Sequence, residues 1–83
     1  MKKHSIEQIE ERYKNAKRYL LVKVTVDDFE GYCVYAEDTQ KAFECLGQDN
    51  ARAKFVFDII AKNEVSAIHL ADVIADMREE IFV

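Results

Sequence analysis

His69, Asp72 and Asp76 are the residues whose types and spacing come nearest to a chemical site. They stand three and seven positions apart, which places them on one side of a helix. An imidazole and two carboxylates so arranged could bind a divalent metal ion, or they could tune the histidine as a base. The alternative, which we favour, is the solvated face of a helix, with acidic residues near its start complementing the helix dipole. We therefore expect no cofactor.

Nucleophilic catalysis has no better candidate. Ser5 and Ser66 each stand where a helix is predicted to begin, so they fit helix caps. Neither lies in a GxSxG-like elbow, and a catalytic triad needs three groups that converge in a pocket. We expect a protein that is not an enzyme.

Charge is unevenly distributed along the 83 residues, which carry a net charge of −4. Residues 1–18 hold six basic and three acidic residues, whereas residues 19–83 hold six basic and thirteen acidic ones. An acidic body disfavours nucleic-acid binding, because phosphates must be neutralised by Lys and Arg, and it suits a protein partner with a basic surface. The basic arm, with Tyr13 and Tyr19 interleaved, is a weaker candidate for nucleic-acid contact.

The remaining elements predict an α+β fold in the order α-β-β-β-α-α, a single domain over residues 1–83. Ser5 and Gln8 fit a capping box, and apolar residues follow at spacings of three and four, so residues 1–18 are predicted as a basic amphipathic helix. β-Branched and aromatic runs separated by short polar turns predict a three-stranded antiparallel meander over 19–47. Two helices are predicted over 49–82, the first capped by Asp49 or Asn50.

Three surfaces of this fold are candidates for contacts. One is the sheet face opposite the helices, where Tyr19, Leu21, Cys33 and Tyr35 are expected. A stripe of small residues at Ala67, Ala71 and Ala75 on the last helix, together with Phe82, is expected to pack against a helix or a second copy. The third consists of acidic residues in two turns, which are either solvated or imitate a phosphate backbone in a basic groove. Those acidic residues are Asp27, Asp28, Glu30, Glu37 and Asp38.

Cys33 and Cys45 are the only cysteines. No signal peptide or apolar run of membrane-spanning length is visible, so we expect a reducing compartment and two buried structural thiols. A bridge between neighbouring strands is the alternative.

The segment His69-Leu70-Ala71-Asp72-Val73-Ile74-Ala75-Asp76 resembles the HLxDVVED-like segment of a family of small bacterial proteins of unknown function. With the strand over 32–37 and the helix that begins at Asp49, the resemblance covers residues 19–77. Ala75 stands where the family has an acidic residue. The resemblance implies a location in the bacterial cytoplasm, or in the host cytoplasm for a phage-borne protein, and it implies no activity.

We therefore interpret the sequence as a non-enzymatic protein–protein interaction module, such as a small inhibitor or regulator that acts by covering a partner's surface, or as a homodimer. One alternative is an acidic, phage-type anti-defence inhibitor, anti-CRISPR-like, that blocks a nucleic-acid-binding enzyme. The other is a metal- or ligand-binding domain built on His69, Asp72 and Asp76. No membrane contact is expected.

Overall fold

The computed structural model describes the backbone of residues 4–81 and the side chains of residues 4–77. Four antiparallel strands in the order of the chain form one sheet, and helices follow. The elements are β1 (His4–Lys14), β2 (Lys17–Val26), β3 (Phe29–Glu37), β4 (Lys41–Gly47), α1 (Asn50–Lys62), a short 3₁₀ turn (Ala67–His69) and α2 (Leu70–Ile81). The observed order is thus β-β-β-β-α-α.

The predicted N-terminal helix is wrong, because residues 4–14 form the edge strand β1 and extend the meander to four strands. A two-residue turn joins β1 to β2, and both of its residues, Asn15 and Ala16, have positive φ, at 49° and 65°. Such turns match the twist of the paired strands and so favour a hairpin. Beyond this turn, three further strands and two helices follow, but β3 begins at Phe29, within a predicted turn, and α2 begins only at Leu70, after a 3₁₀ turn.

The hydrophobic core lies between the helices and one face of the sheet. Tyr19, Leu21 and Val34 supply the sheet side of this core, and Phe57, Ile60 and Leu70 supply the helix side. All six side chains are fully buried. Tyr19 and Leu21 therefore do not lie on the face opposite the helices, and the prediction that placed them there is wrong.

Polar contacts join the edge strand β1 to α1. The Arg12 guanidinium donates a hydrogen bond to Asp58 at 2.5 Å and lies 5.3 Å from the centre of the Phe57 ring. The Lys14 ammonium donates to the main-chain carbonyl oxygen of Lys62 at 3.0 Å, at the end of α1 where carbonyl groups lack helical partners. These contacts hold a strand whose own sequence is largely polar.

A disulfide joins Cys33 to Cys45, which stand directly opposite each other on β3 and β4. The expectation of two free thiols is therefore wrong in this structure, and the bridge between neighbouring strands is the alternative that the structure contains. Cys33 is buried and Cys45 is exposed. The bond thus ties the edge strand β4 to the centre of the sheet.

Among the described residues, no helix is both long and apolar enough to cross a membrane.

Candidate interaction surface

The sheet face that the helices leave uncovered is the candidate functional surface. Side chains alternate between the two faces of a strand, and the register of the pairs fixes which residues share a face. Val22, for example, pairs with Gln8 on one side and with Cys33 on the other. We call this surface the open face. Its apolar members are Ile6, Tyr13, Leu20, Val22, Val24, Val26, Phe29, Tyr35 and Phe43.

Large apolar side chains of the open face are exposed. The exposed fraction is 70% for Ile6, 69% for Tyr13, 54% for Phe29 and 49% for Phe43. The outward residues of a half-covered antiparallel sheet are usually polar. On β2 the pattern is the reverse, because its four outward positions from Leu20 to Val26 are apolar, whereas two inward positions are Lys23 and Thr25.

A row of alternating charges crosses one end of the open face, with one residue from each strand. Arg18 of β2 contacts Glu11 of β1 at 2.6 Å and Glu37 of β3 at 3.8 Å. Lys41 of β4 lies 3.9 Å from Glu37. The hydrogen bond from Arg18 to Glu11 is the main cause that raises the pKa of Arg18. Exposed pairs of this kind add little stability, but together they leave the open face without net charge.

The predicted partner-binding residues do not gather into one site. Tyr35 is half-buried on the open face, and Glu37 belongs to its row of charges. Asp27 and Asp28 lie in the turn between β2 and β3, at the opposite end of the sheet from Asp38.

Glu30 pairs with Lys23 at 3.4 Å on the helix-facing side. These positions do not form the continuous acidic strip that a phosphate mimic needs.

Asp38 has a structural role. Its carboxylate accepts hydrogen bonds from the backbone N–H groups of Gln40 at 2.8 Å and Ala67 at 3.0 Å. The bond from Gln40 is the main cause that lowers the pKa of Asp38, and the bond from Ala67 lowers it further. The side chain thereby holds the β3–β4 turn against the start of the 3₁₀ turn.

The proposed metal ligands are exposed and do not form a centre. His69 ends the 3₁₀ turn, while Asp72 and Asp76 lie on α2. Among the described side chains, those of residues 4–77, no group of three His, Cys, Asp or Glu residues is arranged to hold a metal ion.

The predicted stripe of small residues is divided. Ala67 is buried in the 3₁₀ turn, whereas Ala71 and Ala75 are exposed on α2. Phe82, which was grouped with this stripe, lies outside the described residues.

Of the nine apolar residues of the open face, the sequence predicts only Tyr35 for this face. The four on β2 alternate with Tyr19 and Leu21, so the sequence places them on the helix side instead.

Ile6 and Tyr13 fall in the predicted N-terminal helix, and Phe29 falls in a predicted turn. Phe43 lies in β4 beside Ala42, and neither set of alternate residues in this strand is uniformly apolar or polar, so periodicity gives no signal for its face.

Comparison with protein-family models, with curated proteins and with solved structures finds no match to this chain. The resemblance drawn from residues 69–76 stays a prediction.

Proposed function

We propose that this protein is a non-enzymatic interaction module that binds a protein partner through the open face. One observation carries the proposal: a four-stranded sheet buries one face under helices and presents an apolar face on the other side. Stable domains usually bury the apolar face of a sheet against another layer. A partner's surface would supply that layer here.

The size of the patch supports this function. Aromatic side chains expose about 150–250 Å² when free, so the exposed fractions of Ile6, Tyr13, Phe29 and Phe43 amount to roughly 500 Å². The largest apolar patch of a typical monomer covers about 300–600 Å² and is often functional. The summed exposed area thus falls within the range of patches that are often functional.

The charges of the open face favour an apolar partner surface. The charged side chains of the row pair with one another across the strands: Glu11, Arg18, Glu37 and Lys41. Both carboxylates of this row therefore already have a basic partner within the chain, so a basic surface on another protein would find little to pair with here. The acidic residues of the β2–β3 turn lie at the other end of the sheet. The partner is therefore recognised mainly by shape and apolar contact.

Photocrosslinking in cells tests the proposal. A benzophenone amino acid replaces Phe43 on the open face, and in a matched variant it replaces Phe55 on α1, which is 52% exposed. We expect an adduct of defined mass from position 43 and none from position 55. We also expect Ile6→Glu to abolish the adduct, because it places a charge in the apolar patch. Equal yields from both positions, or no adduct from position 43, would contradict the proposal.

A further inference from the structure

We infer that the partner bound by the open face is a second copy of this chain, so that two sheets pack face to face in a two-fold dimer. The inference rests on the proposed function, and it identifies the partner. Charge, area and the arrangement of polar and apolar residues support it in turn.

Charge is the first requirement for self-association. Each chain carries a net charge of −4, so two copies repel one another unless the contact surface is neutral. The open face meets this condition, because its two acidic side chains, Glu11 and Glu37, are paired with Arg18 and Lys41. Its neutrality lets an identical surface approach.

Area is the second requirement. The four most exposed apolar side chains contribute roughly 500 Å² per copy, and the partly buried Leu20, Val24, Val26 and Tyr35 lie between them. With these included, a two-fold contact buries on the order of 1,200–1,400 Å² in total, which falls within the range of specific interfaces of about 1,200–2,000 Å². The open face is therefore large enough for a dimer interface at the small end of that range.

The distribution of residues is the third requirement. A two-fold interface uses the same patch on both copies, which must therefore be self-complementary. Val22 and Val24 occupy the middle of the open face, on a central strand, whereas the paired charges lie at one end. An apolar centre with a polar rim is the usual anatomy of a protein interface. The product would be a β-sandwich with a layer of helices on each outer side.

Sedimentation equilibrium on the purified protein tests the inference directly. We expect the mass to rise from 9.7 kDa to twice that value between low micromolar and millimolar concentration. Ile6→Glu is expected to weaken dimerisation at least about tenfold, since it buries an unpaired charge in the interface. Ile68→Glu is the matched control, because Ile68 is 69% exposed but lies on the helix side, and it should dimerise like the wild type. Circular dichroism confirms that both variants fold.

The outcomes separate this inference from the function on which it rests. A monomer at every concentration overturns the dimer, and if position 43 still yields an adduct with another protein in cells, the interaction module stands. A dimer that Ile6→Glu leaves intact also overturns the inference, because another surface then mediates it. A monomer without any adduct from position 43 overturns both.

Discussion

The phenol of Tyr19 donates a hydrogen bond to the main-chain carbonyl oxygen of Val65, 2.7 Å away and 46 positions later in the chain. It joins the centre of the sheet to the segment between the helices. Tyr19 is fully buried, so its hydroxyl group needs this partner to offset the loss of water. The residue thus belongs to the core and also fixes the path of the chain after α1.

Tyr19→Phe is therefore expected to lower the free energy of unfolding by about 1–2 kcal/mol, because the carbonyl of Val65 loses its donor. Urea denaturation measures the change. Tyr13→Phe is the control, because Tyr13 is 69% exposed, and we expect it to leave the midpoint nearly unchanged. Equal effects from the two substitutions would show that the hydrogen bond does not stabilise the fold.

Tyr19 should also make the free energy of unfolding depend on pH in alkaline solution. Burial is the main cause that raises the pKa of Tyr19, and the charges of Asp38 and Glu64 raise it further. The folded state thus binds the phenolic proton more tightly than the unfolded state, whose pKa is about 10. This contribution to stability is full below pH 10 and is lost as the pH rises through the folded pKa. The wild type should therefore lose more stability than Tyr19→Phe above pH 10, as urea midpoints would show.

Asp38 should contribute to the loss of stability in acid. Hydrogen bonds from the backbone of Gln40 and then Ala67 lower its pKa below 3.8. Its contribution is present above the unfolded pKa and is lost as the pH falls through the folded pKa. We expect Asp38→Asn to be less stable than the wild type at pH 7, and the difference to shrink below pH 4. Urea denaturation between pH 7 and pH 2.5 measures it, and a difference that does not vary with pH would contradict this account.

Ala16 lies in a backbone conformation that glycine adopts more readily, with φ at 65°. Ala16→Gly removes this strain, which should outweigh the free-energy cost of the entropy that glycine adds to the unfolded chain. We therefore expect the free energy of unfolding to rise by about 0.5–1 kcal/mol. The same change in an exposed helical position, Ala75→Gly on α2, should cost about 0.5–1 kcal/mol. Thermal and urea denaturation of both variants would show opposite signs; a loss of stability from Ala16→Gly would refute the account of this turn.

The disulfide should stabilise the protein measurably. Cys33 and Cys45 are 12 positions apart, and a loop of this length predicts that reduction lowers the free energy of unfolding by about 3 kcal/mol. Denaturation with and without a reducing agent measures the difference. The variant with both Cys33→Ala and Cys45→Ala should be insensitive to the reducing agent. If the wild type is insensitive too, the thiols are free in solution.

Sequence reasoning located the elements whose signals are local. The sequence predicts Asp49 or Asn50 as the cap of α1, and in the structure the cap is Asp49, whose carboxylate accepts the N–H of Arg52 at 3.1 Å. The β-branched run that ends at Val26 was recognised as a strand. In both cases neighbouring residues alone favour the observed structure.

The first strand could not be recognised in this way. A bulge between Gln8 and Glu10 reverses the alternation beyond it. Ile6 lies on the open face and Ile9, three positions later, packs against the core. Their spacing of three resembles one turn of a helix, although they lie on opposite faces of a sheet. The turn between β1 and β2 also lacks the usual Asn-Gly pair, because Ala16 stands in its second position. The conformation of β1 is determined by its pairing with β2 and by its contacts with α1. These interactions form only in the folded chain, so the local sequence does not reveal them.

The face of the sheet was assigned wrongly for a related reason. Both sides of β2 carry apolar residues, so alternation alone does not distinguish which side the helices cover. The buried pair Tyr19 and Leu21 alternates with Leu20 and Val22, and hydrophobicity scarcely separates the two sets. Only the hydrogen bond from Tyr19 to Val65 and the packing of the helices decide between them.

The one-sided core has an evolutionary consequence. Along β2, residues that face the helices are constrained by the fold itself, because their volumes fill a closed space. Residues that alternate with them, such as Val24, would be constrained mainly by the proposed interaction. Descendants without a partner for this face would accumulate polar substitutions at outward positions such as Leu20 and Val24, while Tyr19 and Leu21 stayed apolar. A population of related sequences would thus record, residue by residue, which lineages kept the interaction.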